Sequence, residues 1–206
     1  MDVGGLETLL VDFARQARPR HLEATIFCLG QPGQISSQIE QTGCATEYFN
    51  VADGFRPSLW PRLVRRFRRG RFDAIHTHDI RPLIYAAPAA RWAGVPIRVH
   101  TQHGRALGQT PRQRKIVNWA SRSVTDWISV SRDINDMLHD AGVRPQRQQV
   151  ITNGVDGRKF GRPQFASQST TLLQPNTLPQ PNASNFGGPV DTPNHAKSVL
   201  CVARLS

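Results

Sequence analysis

The sequence predicts an α/β fold in which a parallel sheet carries helices on both faces. Three observations lead there. Short apolar runs alternate with stretches of helical periodicity along most of the chain. Each apolar run closes on turn residues, as a strand buried on both faces does. And 206 residues, 38% of them hydrophobic and 20% charged, suffice for a sizeable core.

The strands are expected at 23–29 (EATIFCL), 72–78 (FDAIHTH), 97–102 (IRVHTQ), 126–131 (DWISVS) and 148–153 (QQVITN). Helices fill the intervals. Residues 5–18 place Leu6, Leu9, Leu10, Phe13 and Ala17 on one face, and residues 57–69 do the same with Leu59, Leu63, Val64 and Phe67. Further helical patterns cover 82–92, 112–121 and 132–141, the last stopped by Gly142 and Pro145. Strand–helix–strand alternation of this kind builds a parallel sheet with crossovers on both sides.

Beyond residue 163 the composition changes. Residues 164–197 are rich in Gln, Asn, Ser, Thr and Pro, with no apolar period to offset ordering entropy, and are expected to be a disordered linker. Residues 198–206 (SVLCVARLS) read as one stray strand with nothing to cover it. The first helix begins almost at Met1, on the glycine pair Gly4–Gly5 that suits a strand-to-helix turn, yet no strand precedes it. Both ends of the chain read as cut.

Three cysteines, Cys28, Cys44 and Cys201, are an odd number without regular spacing, which excludes a disulfide framework and a Cys-based zinc ribbon. A reducing cytoplasm is the expected compartment. No apolar run approaches the roughly 20 residues that span a bilayer, and the start MDVGGLE lacks the basic region of a signal peptide.

The net charge of +11 selects polyanionic partners: nucleic acid, anionic lipid or phosphorylated small molecules. Much of it comes from Arg62, Arg65, Arg66, Arg68, Arg69 and Arg71, which share one short helix pattern with Trp60, Leu63, Val64 and Phe67. Such a basic amphipathic helix is either a solvated face or a peripheral contact with anionic membrane through Arg62, Arg65, Arg66 and Arg69. Arg18 and Arg20 extend the patch if they lie nearby. Nucleic acid is not the expected partner, because modular signatures are missing and aromatics do not interleave with the basic run.

Candidate site residues cluster at strand ends. His76 and His78 close FDAIHTH with period-2 spacing, so they share a face and Thr77 takes the other. His100 and His103 end the next strand in VHTQHG. Ligands of open parallel sheets sit beyond the carboxyl ends of strands, where His78 and His103 fall. His76 and His100 read as hydrogen-bonded core histidines. No metal site is expected, since no HExxH-type spacing or acidic partner accompanies them. His103 precedes Gly104 and can present an imidazole able to donate to an oxygen or exchange a proton. Asp79 and Arg81 follow in the same loop, either as sugar-hydroxyl contacts or, for Asp79, as a helix cap. Gly4 and Gly5 offer amide donors at a helix start, although a glycine pair is by itself a turn. Asn153–Gly154–Val155–Asp156 is by itself a loop.

The order GGLETLLVDFA, FDAIHTHD, VPIRVHTQHG, DWISVS, ITNGVDGRKF, VLCVARLS resembles the amino-terminal half of family 4 glycosyltransferases of the GT-B fold, most closely the exopolysaccharide type. The resemblance implies a Rossmann-like acceptor-side domain over 1–163, followed by the linker and by 198–206 as the first strand of a missing donor-binding domain. It implies His103 as the catalytic residue contacting the transferred sugar, with Gly4, Gly5 and Arg204 binding substrate; the strand-end reading adds His78 and Asp79 as substrate-binding residues. Arg204, in ARLS, would grip the donor pyrophosphate with a permanently charged, two-pronged guanidinium. Ser131 and residues 153–156 match segments leading toward the interdomain crossing. The implied reaction is retaining transfer of a sugar from a nucleotide-sugar donor to a glycan or lipid-linked acceptor, without a cofactor, at the cytoplasmic face of a membrane. The family's strand before the glycine pair, its lysine after the arginine motif and its E-x7-E carboxylates have no counterpart here, and Ala203 stands where glycine is common. Feeble activity of the isolated chain is therefore expected. Two other classes compete: an inactive domain that binds a glycan, lipid-linked acceptor or partner, and a basic nucleic-acid binder.

Overall fold

The computed structural model describes residues 5–33, 35–52, 54–105, 110–143, 145–154 and 197–203. The expectations for Gly4, Asp156, residues 164–196 and Arg204 lie outside the described residues. The chain divides into two units, 1–153 with 196–206, and 154–195; the first carries the architecture that follows.

Seven strands form one parallel sheet: β1 (Leu22–Cys28), β2 (Ala45–Tyr48), β3 (Ala74–His78), β4 (Ile97–Gln102), β5 (Asp126–Ser129), β6 (Arg147–Val150) and β7 (Lys197–Ala203). Their order is β2-β1-β7-β3-β4-β5-β6. The helices are α1 (Gly5–Ala17), α2 (Ser36–Gln41), α3 (Leu59–Gly70), α4 (Ile80–Ala93), α5 (Pro111–Ser121) and α6 (Arg132–Asp140), with a 3-10 turn over Arg18–Arg20. The expected α/β class, with helices on both faces of a parallel sheet, is the observed one.

Successive residues of the central strands supply the two faces. Leu10, Val11 and Ala14 of α1 and Ile39 of α2 pack on Ile26, Cys28 and Cys201. Leu59, Leu63 and Phe67 of α3 and Tyr85, Ala86 and Ala89 of α4 pack on Phe27, Ile75, Leu200 and Val202. Val117 and Ala120 of α5 and Ile134 and Leu138 of α6 close the same side around Leu83 and Trp127. This is the period-2 alternation of strands meeting the 3.6-residue period of helices.

Local chemistry sets the helix ends. Thr110 and Gln113 form a reciprocal capping box at α5, the Thr110 hydroxyl accepting from the Gln113 amide at 3.2 Å and the Gln113 side chain from the Thr110 amide at 3.1 Å. Helix α4 starts two residues before the expected position, because Pro82 sits in its first turn, where a missing N–H forfeits no bond. It ends on Gly94 at φ 83°, a conformation open to glycine. Helix α2 and strand β2 escape sequence detection. They have six and four residues, and only Ser36 and Ile39 of α2 are buried, so neither leaves a readable period.

The stray strand is a correction. β7 lies in the middle of the sheet, its residues 197–203 paired with 22–28 of β1 and its residues 199–202 with 74–77 of β3. Leu200, Cys201 and Val202 are each 0% exposed. Without β7 the facing edges of β1 and β3 would be two rows of unpaired amides and carbonyls inside the protein. Its place is that of strand 1 in the 3-2-1-4-5-6 order of doubly wound folds. Asp73 locks its entry, accepting from the Ser198 amide at 2.7 Å while the Asp73 amide donates to Ser198 O at 2.9 Å. Sequence separation hides this pairing, since no local pattern names a partner 125 residues away.

The three thiols are free. Burial pushes Cys28 up to about 12 and raises Cys201 further, so neither ionises at neutral pH.

If β7 is integral to the core, Leu200→Ala costs about 2–5 kcal/mol of stability in urea denaturation. Ile97→Ala, at a strand residue that is 45% exposed, costs no more than about 1 kcal/mol. Equal costs would show that β7 is not inserted.

Candidate functional site

All seven strands run parallel, so β3 and β4 deliver their last residues to one edge of the sheet. That edge holds His78, Asp79 and His103. Helix α1 leads into β1 and packs on it antiparallel, which puts Gly5 and the first turn of α1 at the same edge. Among the described residues, none lies within 4 Å of where a side chain at Gly5 would begin.

The four histidines separate by face, as their spacing predicts. Thr77 and His100 point to the side of Trp127, whose ring lies 4.2 Å from that of His100. His76 and His78 point to the other side, with ring centroids 4.1 Å apart.

His100 is a core histidine with both ring nitrogens occupied. The Gln102 amide nitrogen is committed to Gly104 O at 2.7 Å, which leaves its Oε1 to accept from His100 Nε2 at 3.2 Å. His100 Nδ1, at 2.9 Å from Thr77 Oγ1, then accepts from the hydroxyl. A buried chain of bonds thus runs from β3 through β4 to the carbonyl immediately after His103. Gln102 and Thr101 are the residues that sequence reasoning passes over. The signal lay in VHTQHG, where alternate positions hold one histidine inward and orient the loop of the other. His76 is likewise hydrogen-bonded, its Nε2 at 2.7 Å from Thr101 Oγ1.

His78 and His103 meet directly, Nδ1 to Nε2 at 2.9 Å, with rings 5.2 Å apart. Such a bond needs one N–H and one lone pair, so it excludes two protonated rings. Desolvation drives all four histidines toward the neutral form. It lowers His76 to about 4, with the charge of His103 adding to it, and lowers His100 to about 3. His78 lies well below 6.5, through burial and then through His76 and its other ring neighbours. His103 is lowered by burial, and Asp79 opposes that shift. Asp79 is itself raised by burial, with His103 opposing. The neutral pair leaves His103 Nδ1 and His78 Nε2 for other partners. When the shared proton crosses the bond while one outer nitrogen takes up a proton and the other releases one, donor and acceptor exchange at each end and both rings stay neutral.

Asp79 is backbone-strained. It stands at φ 65°, ψ 169°, a region essentially reserved for glycine, at the N-cap position of α4. Its carboxylate makes no capping bond. The capping alternative therefore fails. A partly buried carboxylate, held in a costly conformation and electrostatically coupled to His103, is the pattern of a functional position.

Other expectations are redirected. Arg81 Nη2 donates to Ala52 O at 2.6 Å, tying α4 to the loop before α3. Ser131 caps α6, its hydroxyl accepting from the Ile134 amide at 3.2 Å. Arg105 pairs with Asp133 at 2.8 Å, anchoring the loop after His103 to the first turn of α6. Asn153 and Gly154 are exposed loop residues. Among the described residues, no three His, Cys, Asp or Glu side chains converge to hold a metal ion. No helix among them is long and apolar enough to cross a membrane.

This arrangement, a doubly wound sheet with its polar cluster at the carboxyl edge, defines the class of α/β folds that take ligands beyond the ends of their strands. Residues 3–158 match the model of Glycosyltransferase Family 4, and the chain belongs to that family. A curated relative, the UDP-Gal:alpha-D-GlcNAc-diphosphoundecaprenol alpha-1,3-galactosyltransferase of Escherichia coli, is 33% identical over 105 residues, 48% of this chain and 27% of that protein. The chain is similar in fold to HepE of Anabaena, solved with UDP (TM-score 0.58) and with UDP and glucose (TM-score 0.61). Each match is at 22% identity over 75% of this chain and 42% of that one. The chain thus spans well under half the length of these relatives.

Two predictions follow from the histidine and Asp79 environments. Each histidine binds its proton more weakly in the folded state than at its ordinary 6.5, so unfolding takes up protons in acid. Stability is therefore full above about 6.5 and falls as pH drops toward about 4. Melting temperatures read from pH 7.5 to 4 show this decline, and His76→Asn makes it shallower; a rise in stability on acidification would refute it. Asp79→Gly relieves strain and stabilises the fold by about 1 kcal/mol, whereas Asp79→Ala does not.

Proposed function

We propose that the chain forms the His78–Asp79–His103 side of a sugar-transfer site, in which a sugar passes from a nucleotide-sugar donor to a glycan or lipid-linked acceptor with retention. The observation that carries this reading is the neutral His78–His103 pair beside the strained Asp79, at the edge of the sheet where α1 begins. A neutral imidazole at His103 can bond a sugar hydroxyl as donor or acceptor, and Asp79 biases its orientation and proton affinity. Amides of the α1 start suit the diphosphate that departs, since fixed dipoles stabilise charge developing there. Gly4, Gly5 and Arg204 belong to this reading as donor contacts, and His78 and Asp79 as substrate contacts. The reaction class follows the named activity of the galactosyltransferase relative, whose acceptor is diphosphoundecaprenol-linked.

Calorimetric titration and turnover with UDP-galactose and UDP-glucose, each with and without a lipid-diphosphate-linked N-acetylglucosamine, test it. His103→Ala is expected to lower turnover about 10²-fold, and His78→Ala to weaken binding about tenfold. His139→Ala, on the exposed last turn of α6, leaves both unchanged. Binding and turnover indifferent to His103→Ala would overturn the reading.

A further inference from the structure

The positive charge of this protein is gathered on one flank. Helices α3, α4 and α5 pack side by side on one face of the sheet and together carry ten arginines and lysines, with not a single carboxylate. The same flank carries the exposed aromatic rings. Phe55 is 57% exposed, Trp92 53% and Trp119 40%. All three surround Trp60, with ring centroids 5.5, 6.2 and 5.6 Å from it, so they form one continuous patch. Trp60 is fixed at the centre by its indole N–H, which donates to Ile84 O at 3.2 Å. On one side of Trp60 a groove of about 770 Å³ is lined with Val64, Trp92 and the exposed Arg65, Arg68 and Arg69. On the other, a hollow of about 280 Å³ brings Arg112 and Lys115 beside Trp119.

The basic helix expected from the sequence divides its arginines between two tasks. Arg66 is not a free surface cation: it forms a forked pair with Glu47 of β2, its Nε at 2.9 and 3.0 Å from the carboxylate oxygens, and lies over the rings of Phe27 and Phe72. Arg62 lies 5.6 Å over Phe49. Arg65 and Arg69 stay on the aromatic flank. Arg18 and Arg20 follow α1 on the opposite face of the sheet, where Arg18 reaches Gly43, and so do not extend the patch.

We propose that this flank is a docking surface for an anionic phospholipid bilayer, with Phe55, Trp60, Trp92 and Trp119 seated at the headgroup level. Arg65, Arg68, Arg69, Arg112 and Lys115 form the cationic rim around them. Indole rings favour that zone because one edge is apolar and the other bonds water. Arginine and lysine stems reach past apolar surface to place their charges among lipid phosphates. The ring geometry disfavours single-stranded nucleic acid. The rings meet Trp60 at 57 to 78°, so they offer no row of parallel faces for successive bases. The proposal is independent of the sugar-transfer reading, since docking requires none of His78, Asp79 or His103.

Co-sedimentation of the full chain with vesicles of 30 mol% phosphatidylglycerol in phosphatidylcholine tests it. Binding is expected to such vesicles and not to phosphatidylcholine alone, to weaken as salt rises from 0.1 to 0.5 M, and to shift tryptophan emission to the blue. Arg65→Gln with Arg69→Gln lowers partitioning by about thirtyfold, roughly fivefold for each charge. Trp92→Ala with Trp119→Ala, both exposed and confirmed folded by circular dichroism, lowers it about tenfold. Arg20→Gln, on the other face, changes nothing. Equal binding to neutral and anionic vesicles overturns the proposal. So does indifference to both double variants, preferential competition by single-stranded DNA, or a dimer that the tryptophan variant dissolves.

Discussion

The structure depends on the pairing of β7 between β1 and β3. A parallel sheet has no tolerance for a gap in its centre, because the two exposed rows of backbone polar groups would lie under packed helices with no water to satisfy them. β7 removes both rows at once and contributes Leu200 and Val202 to one core and Cys201 to the other. The two helical layers are therefore coupled through a single strand. β3 pairs with β7 as far as Thr77 and with β4 as far as His78, so these two neighbours hold the carboxyl end of β3 on which His78 stands.

The chemistry of the site is a consequence of that edge. Histidines placed in the last turns of buried strands lose water before they gain a charged partner, so all four prefer to be neutral. The His78–His103 bond needs at least one neutral ring, and neutrality of both lets the pair act as a donor or an acceptor toward a hydroxyl-rich ligand. Asp79 supplies a carboxylate to this cluster and occupies a backbone region that favours glycine. The fold tolerates that cost because α4, closed by Gly94 and packed on α3 and α5, over-determines where its first residue lies. Family membership and site geometry agree: an α/β half-site that handles sugars has its polar groups at strand ends and its apolar mass behind them.

Charge and apolar exposure are segregated in the same molecule. One face of the sheet is covered by α1 and α2, with mixed charges. The other carries α3, α4 and α5, helices with basic residues, no acidic ones and exposed indoles, and beyond them α6 with Asp133, Asp136 and Asp140. An amphipathic period reads as a solvated face until the neighbours are known. Arg66 and Arg69 are three residues apart in one helix, yet the first is consumed by Glu47 and two phenylalanines while the second remains at the surface.

The sequence by itself determined the elements with strong local signals: five of the strands, five of the helices, the shared face of His76 and His78, and the core role of His100. Those follow from period-2 and period-3.6 patterns and from caps, which act within a few residues. It also determined the family, through motifs in fixed order. Tertiary structure alone decided that residues 197–203 are the centre of the sheet, that His78 bonds His103, that Asp79 is strained and does not cap, and that Trp60, Trp92 and Trp119 form one surface. The reason is physical. Each of these is a relation between residues far apart in the chain, set by strand order and helix packing, and hydrophobic pattern carries no address for a distant partner.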